Sequence, residues 1–276
     1  MRVVDSQVHI WGVNTPERPW PARAKAQREV PLDARQLLRD MDAAGVERAI
    51  IVPPSWEGDR NDLALAAARD HPGRFAVMGR LDAEAPGARG LIDGWRSQPG
   101  MLGLRFSFHT DLLREPFLDG RVDWVWGAAE RAGLPVMVLL HHAYLDRMDE
   151  IAARYPGLKI TLDHLGLVNG EKDAHAFRDL DRLLALARHA NVAVKPSALP
   201  CYTRQAYPYR GLQPYLRRVY DAFGPRRMFW GTDLSRLPCS YREAITMFTE
   251  EMPWLERSDQ EWIMGRGVCE WHNWKL

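Results

Sequence analysis

Gln7 and His9 stand two residues apart at the end of a short apolar opening, Val3-Val4-Asp5-Ser6-Gln7-Val8-His9-Ile10-Trp11. On a strand, residues two apart project to one face, so the amide and the imidazole leave it together. Two imidazoles there would clamp a divalent metal; an amide oxygen beside one imidazole is a poorer pair for zinc. Chemically capable residues recur downstream: Arg105, Ser107 and His109, then His141 and His142 with Tyr144, then Asp163 and His164, Lys195 and Ser197, and Asp233. Carboxylate, imidazole and guanidinium gathered in one place suit proton transfer from water, support of a developing oxyanion and grip on an anionic substrate. Each alone has a plainer use. A strand-end His can be a satisfied structural group, Asp233 a helix N-cap, and Arg105 a bracket for a loop.

Whether they meet depends on the elements that carry them. Short apolar runs alternate with amphipathic stretches eight times. The strand expectations are Arg2–Asp5, Arg48–Val52, Phe75–Gly79, Gly103–Phe106, Pro135–Leu140, Leu158–Leu162, Val192–Lys195 and Met228–Gly231, each as apolar as a parallel strand covered on both faces. Between them lie helical stripes. Leu37, Leu38, Met41 and Ala44 end at Gly45; Val122, Val125, Trp126 and Ala129 end before Gly133. Leu145, Met148, Ile151 and Ala152 precede Pro156-Gly157, Phe177 to Ala187 forms a long stripe, and Leu212, Leu216, Val219 and Phe223 end at Gly224. Ser258-x-x-Glu261 reads as a capping box for a last helix. Eight βα units with no Gly-rich first turn predict an α/β fold, a (β/α)8 TIM barrel, as a single domain over residues 1–276. The candidate residues then fall at the C-terminal strand ends, where such barrels place their chemistry. Five of the nine histidines do so. The long first loop, Asn14–Pro31, is expected to drape over the barrel mouth.

Composition narrows the function class. Lysine plus arginine number 37 against 36 acids, so no basic bias points to nucleic acid. No stretch approaches the roughly 18 apolar residues of a membrane span. Cys201, Cys239 and Cys269 lack metal-ligand spacing and read as reduced thiols, which with the absence of a secretory leader predicts a soluble, cytoplasmic protein. Of the eleven tryptophans, Trp11, Trp20, Trp56 and Trp230 lie near strand ends and are candidates for a pocket wall.

The motifs at strands 1, 6 and 8 resemble those of the amidohydrolase superfamily, in particular amidohydrolase family 2: Val4-Asp5-Ser6-Gln7-Val8-His9-Ile10-Trp11, Leu162-Asp163-His164-Leu165-Gly166 and Phe229-Trp230-Gly231-Thr232-Asp233, with Ile263-Met264-Gly265-Arg266-Gly267 near the end. The resemblance implies a distorted (β/α)8 barrel and, for the lactonase group, a strand 8 aspartate acting as base without an obligatory metal. The chain departs from many relatives at Gln7, where they carry a second strand 1 histidine. It departs again at Arg105, where dinuclear members often carry a carboxylated lysine.

The resulting expectation is a hydrolase that opens a small carboxylated lactone with no cofactor required. Asp233 is the base, His164, His9 and Gln7 are donors to the oxyanion, and Arg105 clamps the substrate carboxylate. Ser55, Arg60, His141, His142 and Tyr144 form the pocket wall. One alternative is a mononuclear hydrolase or decarboxylase holding zinc or manganese on His9, His141, His142, His164 and Asp233; another is a barrel that binds a ligand without turning it over. The expected partner is a small molecule, with no nucleic acid or membrane, and a homo-oligomer stays open.

Overall fold

The computed structural model describes residues 1–22, 24–109 and 111–275. Seven strands run parallel in sequence order: β1 (Val4–Val8), β2 (Arg48–Ile51), β3 (Phe75–Arg80), β4 (Met101–Ser107), β5 (Val136–Leu139), β6 (Ile160–Leu162) and β7 (Val192–Val194). The eighth segment closes the ring without becoming a regular strand. It bridges β7 at Val194↔Met228 and the chain just beyond β7 at Ser197↔Gly231, and on its other side the Ser6 N–H donates to the Trp230 carbonyl at 3.3 Å. The result is a (β/α)8 barrel, as expected, with an eighth strand weaker than expected. The physical reason lies at Trp230, whose N–H donates at 2.9 Å to Ile263 of the C-terminal segment rather than to a ladder partner. Gly231 permits the close approach of β1 here, since a Cβ at this position would stand 2.6 Å from Ser6 Oγ.

The helices follow the apolar stripes. Helix Ala34–Ala44 starts on the Asp33 side chain, buries Leu37, Met41 and Ala44, and stops at Gly45 with φ 79°, a left-handed cap that glycine adopts without strain. Helix Leu145–Arg154 buries the four predicted residues, and helix Gln213–Phe223 buries Leu216, Val219 and Phe223. Two expectations fail. The stripe from Phe177 to Ala187 is not one helix but Leu180–Ala185 followed by a tight turn at Leu186–Arg188. The capping box is not at Ser258, which lies inside helix Arg257–Glu261; it is formed by Ser240 and Glu243 at the start of Tyr241–Thr249.

Apolar side chains fill two zones. A large cluster joins strands to helices, and a smaller one, including Ile50, Ala76, Met78, Met137, Ala193 and Phe229, fills the barrel itself. Among the described residues no helix is long and apolar enough to cross a membrane.

Candidate active site

β1 extends three residues further than expected, to Val8, so Gln7 lies within the strand and not beyond it. Its side chain is wholly buried, and its carbonyl oxygen accepts from the Lys195 ammonium. An ammonium has only donors to offer, so this contact fixes the amide: Oε1 faces Lys195 and the NH2 faces His9 Nε2, 3.5 Å away. Lys195 reaches Gln7 on β1, Asp163 after β6 (2.8 Å) and Met137 Sδ on β5 (3.4 Å), which places its ammonium inside the barrel. Asp163 also receives Arg105 Nε at 3.1 Å, and Arg105 and Arg80 both donate to Ser107 Oγ. Burial alone would raise the Asp163 carboxyl; Lys195 and then Arg105 hold it down at about 2.

Above this layer lies the cluster around Asp233. His9 Nδ1 sits 2.5 Å from the Val52 carbonyl and therefore carries the proton, while Nε2 lies 3.1 Å from Asp233 Oδ1. His164 Nε2 approaches Oδ2 at 3.6 Å, and its Nδ1 meets the Ser197 hydroxyl at 2.8 Å. Arg236 donates to Oδ2, and Gln27, from the first loop, donates to Oδ1 at 3.3 Å. Burial would raise Asp233, but Arg236 first and His9 next hold its carboxyl well below the usual range. Burial, with Arg236 adding to it, pushes His164 down to about 3, so its ring is neutral at pH 7.

Backbone geometry aims these groups. His164 and Asp233 have φ 53° and 54°, a left-handed conformation uncommon outside glycine and concentrated at functional positions. Asp5 ties the two flanks together. Its Oδ1 accepts from the N–H of Gln7 and of Thr232, each at 2.9 Å, and Oδ2 accepts from Tyr241 at 2.7 Å. The residue before Asp233 and the residue two before His9 are thus held by one buried carboxylate.

A cavity of about 390 Å³ opens onto Asp233, His9, His164, Arg105, His141 and Ser55, all candidates from the sequence, and onto Trp56 and His109. The other candidates lie elsewhere. Gln7 is beneath the cavity, and His142 is buried with Nε2 on the Leu165 carbonyl at 2.7 Å. Tyr144 lies under Arg114, and Arg60 pairs with Glu57 at 3.3 Å and donates to Pro19 O. Of the tryptophans, only Trp56 among the four candidates lines the cavity; Trp11 packs edge-on against it and Trp230 is tied to the Ala244 carbonyl. The first loop does reach the mouth, through Gln27 and through Arg28 on the Leu234 and Ser235 carbonyls; Arg23 of that loop lies outside the described residues. Sequence reasoning missed Gln27, Arg236, Asn169 and Tyr202. Arg236 carried a usable signal, standing three residues after Asp233; Gln27 carried none.

The amidohydrolase family model matches residues 4–266. The chain belongs to the amidohydrolase family. As an amidohydrolase it is 28% identical over 251 residues to an L-fucono-1,5-lactonase of Burkholderia ambifaria, covering 85% of this chain and 81% of that one. It is 26% identical to a 4-sulfomuconolactone hydrolase of Hydrogenophaga intermedia, covering 83% and 73%. A crystal structure of an amidohydrolase from Burkholderia multivorans with bound zinc superposes with a TM-score of 0.83, at 22% identity and 99% coverage of each chain; at that identity it shows the shared fold.

The zinc in that neighbour raises the question of whether this amidohydrolase presents a site for one. His9, His164 and Asp233 are suitable residue types for a single divalent ion. They are not preformed as a metal site in this arrangement: Arg236 occupies Asp233 Oδ2, the Gln7 oxygen is turned to Lys195, and among the described residues no three His, Cys, Asp or Glu side chains form a metal-holding group.

Proposed function

We propose that this amidohydrolase opens a small lactone bearing a carboxylate, with Asp233 as general base. The observation that carries the reading is the Asp233 carboxylate, ionised and set between two imidazoles that open with it onto the cavity. The lactones named for the two curated relatives give the substrate class its support. Asp233 takes a proton from water, the water oxygen adds to the lactone carbonyl, and the ring C–O bond breaks as the leaving oxygen takes that proton back from Asp233, giving a hydroxy acid. A positioned base of this kind contributes about 10²–10⁴-fold.

Hydrogen bonding supports different roles for the two imidazoles. When the Ser197 hydroxyl donates to His164 Nδ1, the ring carries its proton on Nε2 and can donate to the oxyanion, a contact worth about 3–4 kcal/mol. His9 cannot do this as a neutral ring, because its proton is on Nδ1; it packs beside Asp233 Oδ1 instead. Gln7 supports His9 from below.

The test is Asp233→Asn assayed on a lactone panel that includes L-fucono-1,5-lactone. Turnover falls by at least roughly 10²-fold with the fold retained; near-normal turnover overturns the assignment. The zinc-bound neighbour supports a second reading, with one divalent ion on His9, His164 and Asp233, reached by His141, acting as a Lewis acid in hydrolysis or decarboxylation. Exhaustive chelation separates the two. The metal-free reading expects unchanged activity and well under one equivalent of zinc or manganese, and activity lost to chelator and restored by metal selects the second.

A further inference from the structure

Two arginines border the cavity, and they are held in opposite ways. Arg105 is 4% exposed, with Nε on Asp163 and Nη1 on Ser107. It is locked into the layer beneath the site, and giving up Asp163 would leave that carboxylate buried beside Lys195 alone. Arg236 is 15% exposed and comes from the short turn Leu234–Arg236 that follows the eighth strand segment. Its Nε is on Asp233, while Nη1 donates to Asn169 at 3.0 Å and Nη2 to the Tyr202 hydroxyl at 3.1 Å. The last two partners are neutral, so they can hold the guanidinium in the cavity whether or not Asp233 remains in contact.

The same arrangement poses a problem for the base. With Arg236 on Oδ2 and Gln27 on Oδ1, both oxygens of Asp233 are taken. A carboxylate tied to a guanidinium is a weak proton acceptor, and water must reach one of its oxygens. A substrate that brings its own carboxylate supplies the competitor, because the guanidinium gives Asp233 a single N–H and a planar guanidinium can grip a free carboxylate through two parallel N–H bonds. We infer that Arg236 is the specificity-determining residue: it closes Asp233 at rest and passes to a carboxylate on the substrate, which frees the base. A neutral lactone has no group with which to draw it away. This inference rests on the lactonase reading for its catalytic consequence but not for the ion exchange at its centre.

Binding of glutarate, a dicarboxylate with no ester to hydrolyse, tests the exchange by calorimetry on folded protein. If Asp233 and the ligand compete for one guanidinium, Asp233→Asn binds glutarate at least about 10-fold more tightly than the wild type, and Arg236→Gln binds it at least about 10-fold more weakly. Arg236→Lys, which keeps the charge but loses the fork, falls between wild type and Arg236→Gln and serves if the glutamine variant does not fold. The kinetic counterpart compares γ-butyrolactone with its γ-carboxylated analogue: the preference for the carboxylated ring, as a ratio of kcat/KM, collapses in Arg236→Gln and persists in Arg105→Lys. Equal glutarate affinity in the three proteins, or no binding to wild type and Asp233→Asn alike, overturns the inference. Failure of the wild type to open any lactone overturns the proposed function instead, and the opposed glutarate shifts still decide the role of Arg236.

Discussion

Two buried aspartates, Asp163 after β6 and Asp233 after the eighth segment, are each flanked by cations and imidazoles, yet they are built for different work. Asp163 has no exposure; its partners Lys195 and Arg105 stand at 2.8 and 3.1 Å, Lys195 sealed in the barrel and Arg105 reaching the cavity edge while locked on Asp163 and Ser107. Asp233 is almost as buried, but its partners Arg236, His9 and Gln27 all line a cavity. In the lower cluster releasing either cation would leave the fully buried Asp163 carboxylate short of a partner, so the pairing is obligatory. In the upper one a ligand can take over a partner, so the pairing is exchangeable. Burial alone does not separate a structural charge from a working one; whether the partner has other contacts to hold it when it lets go does.

The largest expected effect breaks the lower cluster. Asp163→Asn removes the anion between two buried cations and lowers unfolding free energy by about 3–5 kcal/mol, read from urea denaturation. Asp233→Asn costs no more than about 1 kcal/mol: asparagine tolerates the left-handed backbone at this position, and Arg236 keeps Asn169 and Tyr202. Equal losses in the two variants would erase the distinction between the clusters.

Acid offers a graded version of the same contrast. The Asp163 carboxyl is held at about 2 in the folded protein against 3.8 for the free side chain. Between those values the unfolded chain binds the extra proton. The stabilisation is therefore complete above pH 4 or so and is lost as pH falls through about 2. The stability gap between wild type and Asp163→Asn should narrow across that window, with little change between pH 5 and 7. A gap that is flat down to pH 2 would mean that Lys195 and Arg105 do not depress this carboxyl.

The sequence was informative about which residues face the mouth and silent about how they pair. Alternation and the strand-end rule brought His9, His164, Asp233 and Arg105 to one cavity, because strand order and polarity are written in local patterns of apolar residues. Gln27 meets Asp233 across 206 residues, from a loop without periodicity, and that contact exists only once the barrel closes. Gln7 and Lys195 were visible as strand-end polar residues, but β1 runs on to Val8 and the Lys195 ammonium is drawn inward by Asp163, so both lie a layer below the cavity. The eighth strand was legible as a segment and not as a ladder, since the bond from Trp230 to Ile263 comes from the far end of the chain.

The smallest expected effect tests the outer boundary of the upper cluster, at Arg60. The spacing after strand 2 suggested a pocket residue, but its guanidinium pairs with Glu57 at 3.3 Å and donates to the Pro19 carbonyl on the first loop, with a third of its side chain exposed. A half-open pair of this kind contributes about 0.2–1 kcal/mol, so Arg60→Ala should lower stability by no more than that. Glu57 keeps Arg18 at 2.8 Å and the Gly12 N–H at 2.6 Å, and the loop retains Arg28 on the Leu234 and Ser235 carbonyls. Gln27 therefore stays over Asp233. Turnover of the lactone that the wild type prefers should change less than about 2-fold, with any effect in KM, because nothing that touches the reacting atoms is lost. A large fall in kcat would place the anchoring of the first loop, and with it Gln27, inside the working cluster.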